Sequence, residues 1–173
     1  MPQTIAIIGA GPLGRSLALR AARAGFRVFL EDVMPSNLHH AQESIRRELS
    51  QAALPSVAFV STVEDAVRSA DLIIDCVPDE LESKLEILWL LDRMAPPHAV
   101  FATPTTTQSI ADLAACTYRP DKCIAIAAEP AALAQGAETS IQIRTTVATA
   151  PQTIAIVDHF WRALGLNPVF ERV

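Results

Sequence analysis

The segment Ile5-Ala6-Ile7-Ile8-Gly9-Ala10-Gly11-Pro12-Leu13-Gly14 runs from an apolar, β-branched stretch through G-x-G-x-x-G into a helical pattern. Gly9 permits a tight turn, Gly11 lacks a Cβ so that a pyrophosphate can approach the backbone, and Gly14 lets the following helix pack closely on the strand. The N–H groups around Leu13 then open a helix, where unpaired donors favour phosphate. Pro12 suits the first helical position, whose N–H has no intrahelical partner, although it gives up one donor to the ligand. Asp32, eighteen residues beyond Gly14, supplies the second half of the pattern. A carboxylate at the end of the second strand accepts hydrogen bonds from an adenosine ribose. Together these residues predict a dinucleotide site. A carboxylate at that point repels a 2′-phosphate, and Val33 to Ser36 contain no arginine to replace it, so NAD is favoured over NADP. Glu31 is the alternative ribose ligand if the strand ends one residue earlier, and otherwise a solvated strand end. FAD is a weaker alternative for the same turn, and a glycine-rich turn without a ligand is the plain structural reading.

Other reactive groups are few. Cys76, Cys116 and Cys123 are odd in number and lack C-x-x-C spacing, which points to reduced thiols and no zinc site. Cys76 ends a strand where ligands bind, yet a small buried core residue is the better reading. His39 and His40 lie on the predicted helix after Asp32, His98 precedes a strand and His159 lies on the last helix. All four read as surface or packing residues.

The elements that must position these groups alternate. Apolar runs at Thr4 to Ile8, Arg27 to Glu31 and Val57 to Val60 are separated by helical patterns at Leu13 to Ala24 and Leu38 to Ala52, with Ser36 as the expected N-cap of the second helix. This is the signature of βαβ units and a parallel sheet. Asp71 to Val77 is almost continuously apolar, as expected of a central strand covered on both faces. A helix from Asp79 to Ala95, a strand from Ala99 to Thr103 and a short helix from Ser109 to Ala115 follow, with Pro96-Pro97 stopping the longer helix. Lys122 to Ala128 reads as a strand, Ser140 to Thr146 as an exposed or antiparallel strand, Pro151 to Leu164 as a helix and Pro168 to Glu171 as a final strand. The expected fold is α/β: one Rossmann-type domain over residues 1–173, with a doubly wound, mainly parallel sheet, helices on both faces and last strands open to antiparallel pairing.

Composition agrees. At 173 residues and 50% hydrophobic content the chain can bury a core of one domain. The net charge of −5 and the scattered Lys and Arg argue against nucleic acid. No apolar run approaches the ~20 residues that span a bilayer, and the N-terminus lacks a signal-peptide layout. The expectation is a soluble, cytoplasmic protein without a membrane partner.

Beyond the glycine turn, Leu30-Glu31-Asp32-Val33-Met34-Pro35, Asp71 to Lys84, Ala95-Pro96-Pro97-His98 and the threonines after Thr103 keep a consistent order and spacing. From Thr4 to about Phe170 the chain resembles the NAD-binding domain of the 3-hydroxyacyl-CoA dehydrogenase family. The resemblance implies an oxidoreductase lineage in fatty acid metabolism. It implies that Asp79 and Lys84 contact the nicotinamide side of the cofactor, and that Val77 and Pro78 form a backbone lid over its ribose. Taken without the resemblance, Asp79 is a solvated first-turn carboxylate and Lys84 an exposed helix residue.

The same resemblance exposes departures. The family removes the hydroxyl proton with a histidine oriented by a glutamate, assisted by a serine and an asparagine. Its G-x-H-F-F-N-P segment matches Ala125-Ile126-Ala127-Ala128-Glu129-Pro130, one residue short, so Ala127 replaces the histidine. Gln142 stands where the glutamate belongs, and Pro104-Thr105-Thr106-Thr107 replaces the Asn-Thr-Ser-Ser turn. Thr106 keeps a hydroxyl, although an ordinary threonine turn is at least as good a reading. Glu129 is the polar newcomer and a weak candidate base. The family's helical C-terminal domain, which binds acyl-CoA and builds the dimer, lies beyond the matched segment. The expectations are a possible pseudoenzyme that keeps NAD, or an active oxidoreductase completed by a partner chain or dimer. The Ala-rich segment Ala127 to Ala134 is the candidate surface for a homo-oligomer or protein partner.

Overall fold

The computed structural model describes residues 3–173. Along the chain run β1 (Thr4–Ile8), α1 (Pro12–Arg23), β2 (Arg27–Glu31), α2 (Pro35–Glu48), β3 (Val57–Val60), α3 (Val63–Val67), β4 (Leu72–Asp75) and α4 (Leu81–Met94). They are followed by β5 (Val100–Pro104), α5 (Ile110–Ala115), β6 (Cys123–Ile126), α6 (Pro130–Gln135), β7 (Ser140–Thr145), α7 (Pro151–Ala163) and β8 (Asn167–Arg172).

Strand side chains alternate between faces, so the central strands serve two cores, whereas β7 and β8 contribute to one only. Ile5 and Ile7 of β1 join Leu17 and Ala21 of α1, Ile45 of α2 and Phe160 and Trp161 of α7 on one face. Ala6 and Ile8 join Ala66 and Val67 of α3, Leu88 and Leu91 of α4 and Leu113 of α5 on the other. The strands form one eight-stranded sheet in the order β3-β2-β1-β4-β5-β6-β7-β8. Pairing is parallel from β3 through β6. The order reverses between β1 and β4, which opens a crevice at their carboxyl ends where ligands of such sheets bind.

The doubly wound, mainly parallel sheet is the one expected from sequence. Only the β6–β7 pairing is antiparallel, and β8 returns parallel to β7. Two helices escaped the periodicity argument because they are short. The five-residue α3 is fixed by Thr62, whose hydroxyl accepts from the Asp65 N–H, and the six-residue α6 is opened by Pro130 and closed by left-handed Gly136 at φ 66°. Ser36 is not the cap of α2, which begins at Pro35 with Met34 in that role. The Met34 N–H instead donates to Asp32 Oδ1 at 2.8 Å, so the residue read as a ligand also organises the helix start.

Trp161 is fully buried and packs edge-on against Phe160 at 5.0 Å between centroids, and Phe160 in turn meets Phe26. These rings seat α7 on the sheet. Trp161→Ala is expected to cost about 3–5 kcal/mol of stability, read from urea unfolding, because the cavity cannot collapse around so large a loss.

Candidate functional site

The glycine turn works at two separate places. Gly9 has φ +103° and would put a Cβ 3.2 Å from the Cys76 carbonyl oxygen, so the turn needs glycine there. A Cβ on Gly14 would lie 1.8 Å from the Gly9 carbonyl oxygen, which fixes how closely α1 approaches the turn. A Cβ on Gly11 would meet nothing within 4 Å. That position therefore opens on free space, the room a diphosphate needs. Gly11 is the N-cap of α1, carries no side-chain cap and precedes Pro12, and no acidic residue occupies the first turn. The donors around Leu13 are thus left for an anionic ligand, and the residues present fit a dinucleotide.

Asp32 sits against this turn. Its Oδ2 accepts from the Ala10 N–H at 2.9 Å and from Asn37 Nδ2 at 3.1 Å. Asn37, which the sequence pattern did not flag, steadies the carboxylate from α2. Glu31 points to the opposite face because adjacent strand residues alternate. It is 5% exposed, and burial first, then the charge of Asp32, push its carboxyl up to about 7 against a weak pull from the Gly9 N–H. Both acids thus touch the glycine turn, Glu31 buried at Gly9 and Asp32 at Ala10, and Asp32 is the one that also meets Asn37 at the start of α2.

Across the strand reversal from Asp32, a groove of about 360 Å³ runs from the turn to the ends of β4 and β5. Gly11 to Gly14, Cys76, Val77, Pro78 and Asp79 line it, with Pro104 and α6 on the far side. Asp79 accepts from the Thr105 hydroxyl and, at 3.0 Å, from the Thr106 N–H. Burial pushes its carboxyl up, but these donors and the nearby Lys84 charge hold it below the usual carboxylate range. Thr105 is a residue that sequence reasoning passed over in favour of Thr106. Thr106 Oγ1 donates to Glu129 Oε1 at 3.0 Å, which brings the two catalytic candidates together, each close in sequence to a groove-lining proline, Pro104 or Pro130. Lys84 is fully buried, with Nζ 2.6 Å from Asp75 Oδ1, so its exposed-helix reading fails. The Ala127 N–H donates to the Gln142 carbonyl at 2.9 Å, so the two departures from the family pattern are neighbours.

Other candidates lie elsewhere. His39 pairs with Glu43 and His98 with Asp71, and His159 meets the edge of Phe26. None of the four lines the groove. The three cysteines are free; burial raises the Cys76 thiol far above its ordinary range and pushes Cys123 up to about 11, which disfavours the thiolate in both, although Cys76 also lines the groove. Among the described residues no cluster of metal-ligating side chains occurs, and no helix is long and apolar enough to cross a membrane. In the expected partner segment, Leu133 is buried beneath α1 and Ala131 and Ala132 are exposed.

Comparison with known proteins gives the family. Residues 4–172 match the family model described as 3-hydroxyacyl-CoA dehydrogenase, NAD binding domain. A 5-formyl-3-hydroxy-2-methylpyridine 4-carboxylate 5-dehydrogenase of Mesorhizobium japonicum is 29% identical over 98% of this chain and 57% of its own length. A probable 3-hydroxybutyryl-CoA dehydrogenase of Bacillus subtilis is 30% identical over 69% of this chain and 46% of its own length. The chain thus spans about half the length of these curated relatives. Among solved structures, a diketoreductase superposes with a TM-score of 0.85 at 27% identity, covering 98% of this chain and 64% of that one.

Two outcomes follow. Gly14→Ala should lower the melting temperature sharply, whereas Gly11→Ala should leave it within a few degrees and weaken NAD binding; calorimetry reads both. Because folding raises the Glu31 carboxyl from 4.5 to about 7, the native state binds the extra proton between those values. Stability should therefore fall as pH rises from about 4.5 to 7 and level off above, and Glu31→Gln should flatten that slope in urea titrations.

Proposed function

Because the chain belongs to the 3-hydroxyacyl-CoA dehydrogenase NAD-binding domain family, we propose that residues 1–173 act as a single NAD-binding unit whose own hydride-transfer reaction is impaired or lost. Bound NAD would supply the hydride acceptor. The residues of this chain would hold it: the N–H groups after Gly11 on the diphosphate, Asp32 on the adenosine ribose, Val77 and Pro78 over the other ribose and Asp79 toward the nicotinamide. A hydride leaves an alcohol carbon efficiently only if the hydroxyl proton is also taken, and a positioned base contributes ~10²–10⁴ in rate. The observation that carries the impaired reading is the Ala127–Gln142 pairing, 2.9 Å across the backbone, where neither side chain can accept that proton.

A second reading keeps the activity. Thr106 and Glu129 share a 3.0 Å hydrogen bond on the exposed side of the β5 and β6 ends, a polar pair suited to receive a proton from a hydroxyacyl-CoA or related hydroxy substrate. In that reading a partner chain or a second copy completes the substrate surface, seated against the exposed Ala131 and Ala132. The three free cysteines suit a reducing compartment, and we place the protein in the cytoplasm.

Calorimetric titration tests the cofactor, and a hydroxyacyl-CoA panel with NAD tests the chemistry. NAD should bind, NADP should bind at least about tenfold more weakly, and Asp32→Ala should erase most of the difference. Turnover near the ~10 s⁻¹ of an ordinary enzyme, abolished by Glu129→Gln, would replace the impaired reading with the second.

A further inference from the structure

We infer that Asp75 and Lys84 act as one charge-neutral positioning pair beneath the nicotinamide end of the groove, and that this neutrality sets how the site discriminates oxidised from reduced nicotinamide. The inference rests on the NAD-binding reading. Asp75 is the last residue of β4 and Lys84 lies in the first turn of α4, so the pair ties together the two ends of the Cys76–Glu80 connection. Cys76 to Asp79 of that connection line the groove.

Both side chains are 1% exposed, and the 2.6 Å contact joins an ammonium to a carboxylate with no water-accessible alternative. Burial pushes the Asp75 carboxyl up, while Lys84 pulls it back toward the charged form. The Thr103 hydroxyl on the next strand has no hydrogen-bond partner of good geometry among the described residues, yet lies close enough to Asp75 to favour its charge as well. Removing one member of such a pair leaves an uncompensated buried ion, whereas removing both does not. Lys84 is therefore unsuited to touch the cofactor, and its influence passes through Asp75 and the loop above.

The charge arithmetic gives this a measurable sign. Asp79 lies within the field of both members of the pair. With Asp75 and Lys84 cancelling, the nicotinamide end carries the single negative charge of Asp79, which favours the cationic ring of NAD⁺ over the neutral ring of NADH. Asp75→Asn leaves Lys84 to cancel Asp79. Asp75→Asn with Lys84→Met restores the single negative charge.

The test measures dissociation constants for NAD⁺, NADH and ADP-ribose with the wild-type chain, Asp75→Asn and the double variant, each checked by circular dichroism melting. The ratio Kd(NAD⁺)/Kd(NADH) should rise on the order of tenfold in Asp75→Asn and return to within about threefold of wild type in the double variant. ADP-ribose, which lacks the ring, should bind all three alike. An unchanged ratio in folded Asp75→Asn overturns the inference, as does a double variant that behaves like the single one. If Asp75→Asn does not fold, Lys84→Met decides: the uncancelled Asp75 should lower the ratio, and an unchanged ratio overturns the inference. Wild-type protein that binds neither nucleotide nor ADP-ribose overturns the NAD reading itself, and the inference with it.

Discussion

Helix α1 lies so close to the turn before it that one methyl group at Gly14 would meet the Gly9 carbonyl oxygen at 1.8 Å. That close approach brings the N-terminus of α1 to the crevice where the strand order reverses. Gly9, at positive φ, sends the chain around the Cys76 carbonyl, and Gly11 leaves the space in front of the helix open. The Ala10 N–H then reaches Asp32, and Asp32 reaches the start of α2. The proposed phosphate and ribose sites and the packing of two helices share one set of contacts, so fold and candidate site depend on the same residues.

This matters in a chain with a net charge of −5. A dianionic diphosphate gains nothing from the protein's overall field, and its binding must come from oriented N–H groups in a confined space. The acids around the groove are correspondingly restrained. Asp32 is bound by three donors, Asp79 by the 105–106 turn, and Asp75 is neutralised by Lys84. Glu31 is buried with the Gly9 N–H as its one stabilising donor, and burial raises its proton affinity.

Much of this was legible in the sequence. The alternation of β1 and β2 with α1 and the spacing of Gly9, Gly11, Gly14 and Asp32 predicted the sheet and the turn, because backbone periodicity and the absence of a Cβ are local properties. The five-residue α3 and six-residue α6 were not legible, since neither spans two helical turns. Asn37 and Thr105 were missed for another reason: they act by reaching side chains 5 and 26 residues away, and no local pattern encodes such a meeting. The burial of Lys84 was likewise hidden in a helix that reads as solvated. The signal was Asp75, a carboxylate closing an apolar strand, which demands a buried partner.

In the proposed binding mode the dinucleotide lies across the glycine turn with its adenosine ribose at Asp32. Amide chemical-shift mapping of ¹⁵N-labelled protein during titration with NAD tests it most directly. The largest shifts should fall at Ala10, Gly11, Leu13, Asp32 and Asn37, continuing to Val77 and Asp79, with His98 and Tyr118 unmoved. Shifts confined to other surfaces, or none at saturating NAD, would contradict it.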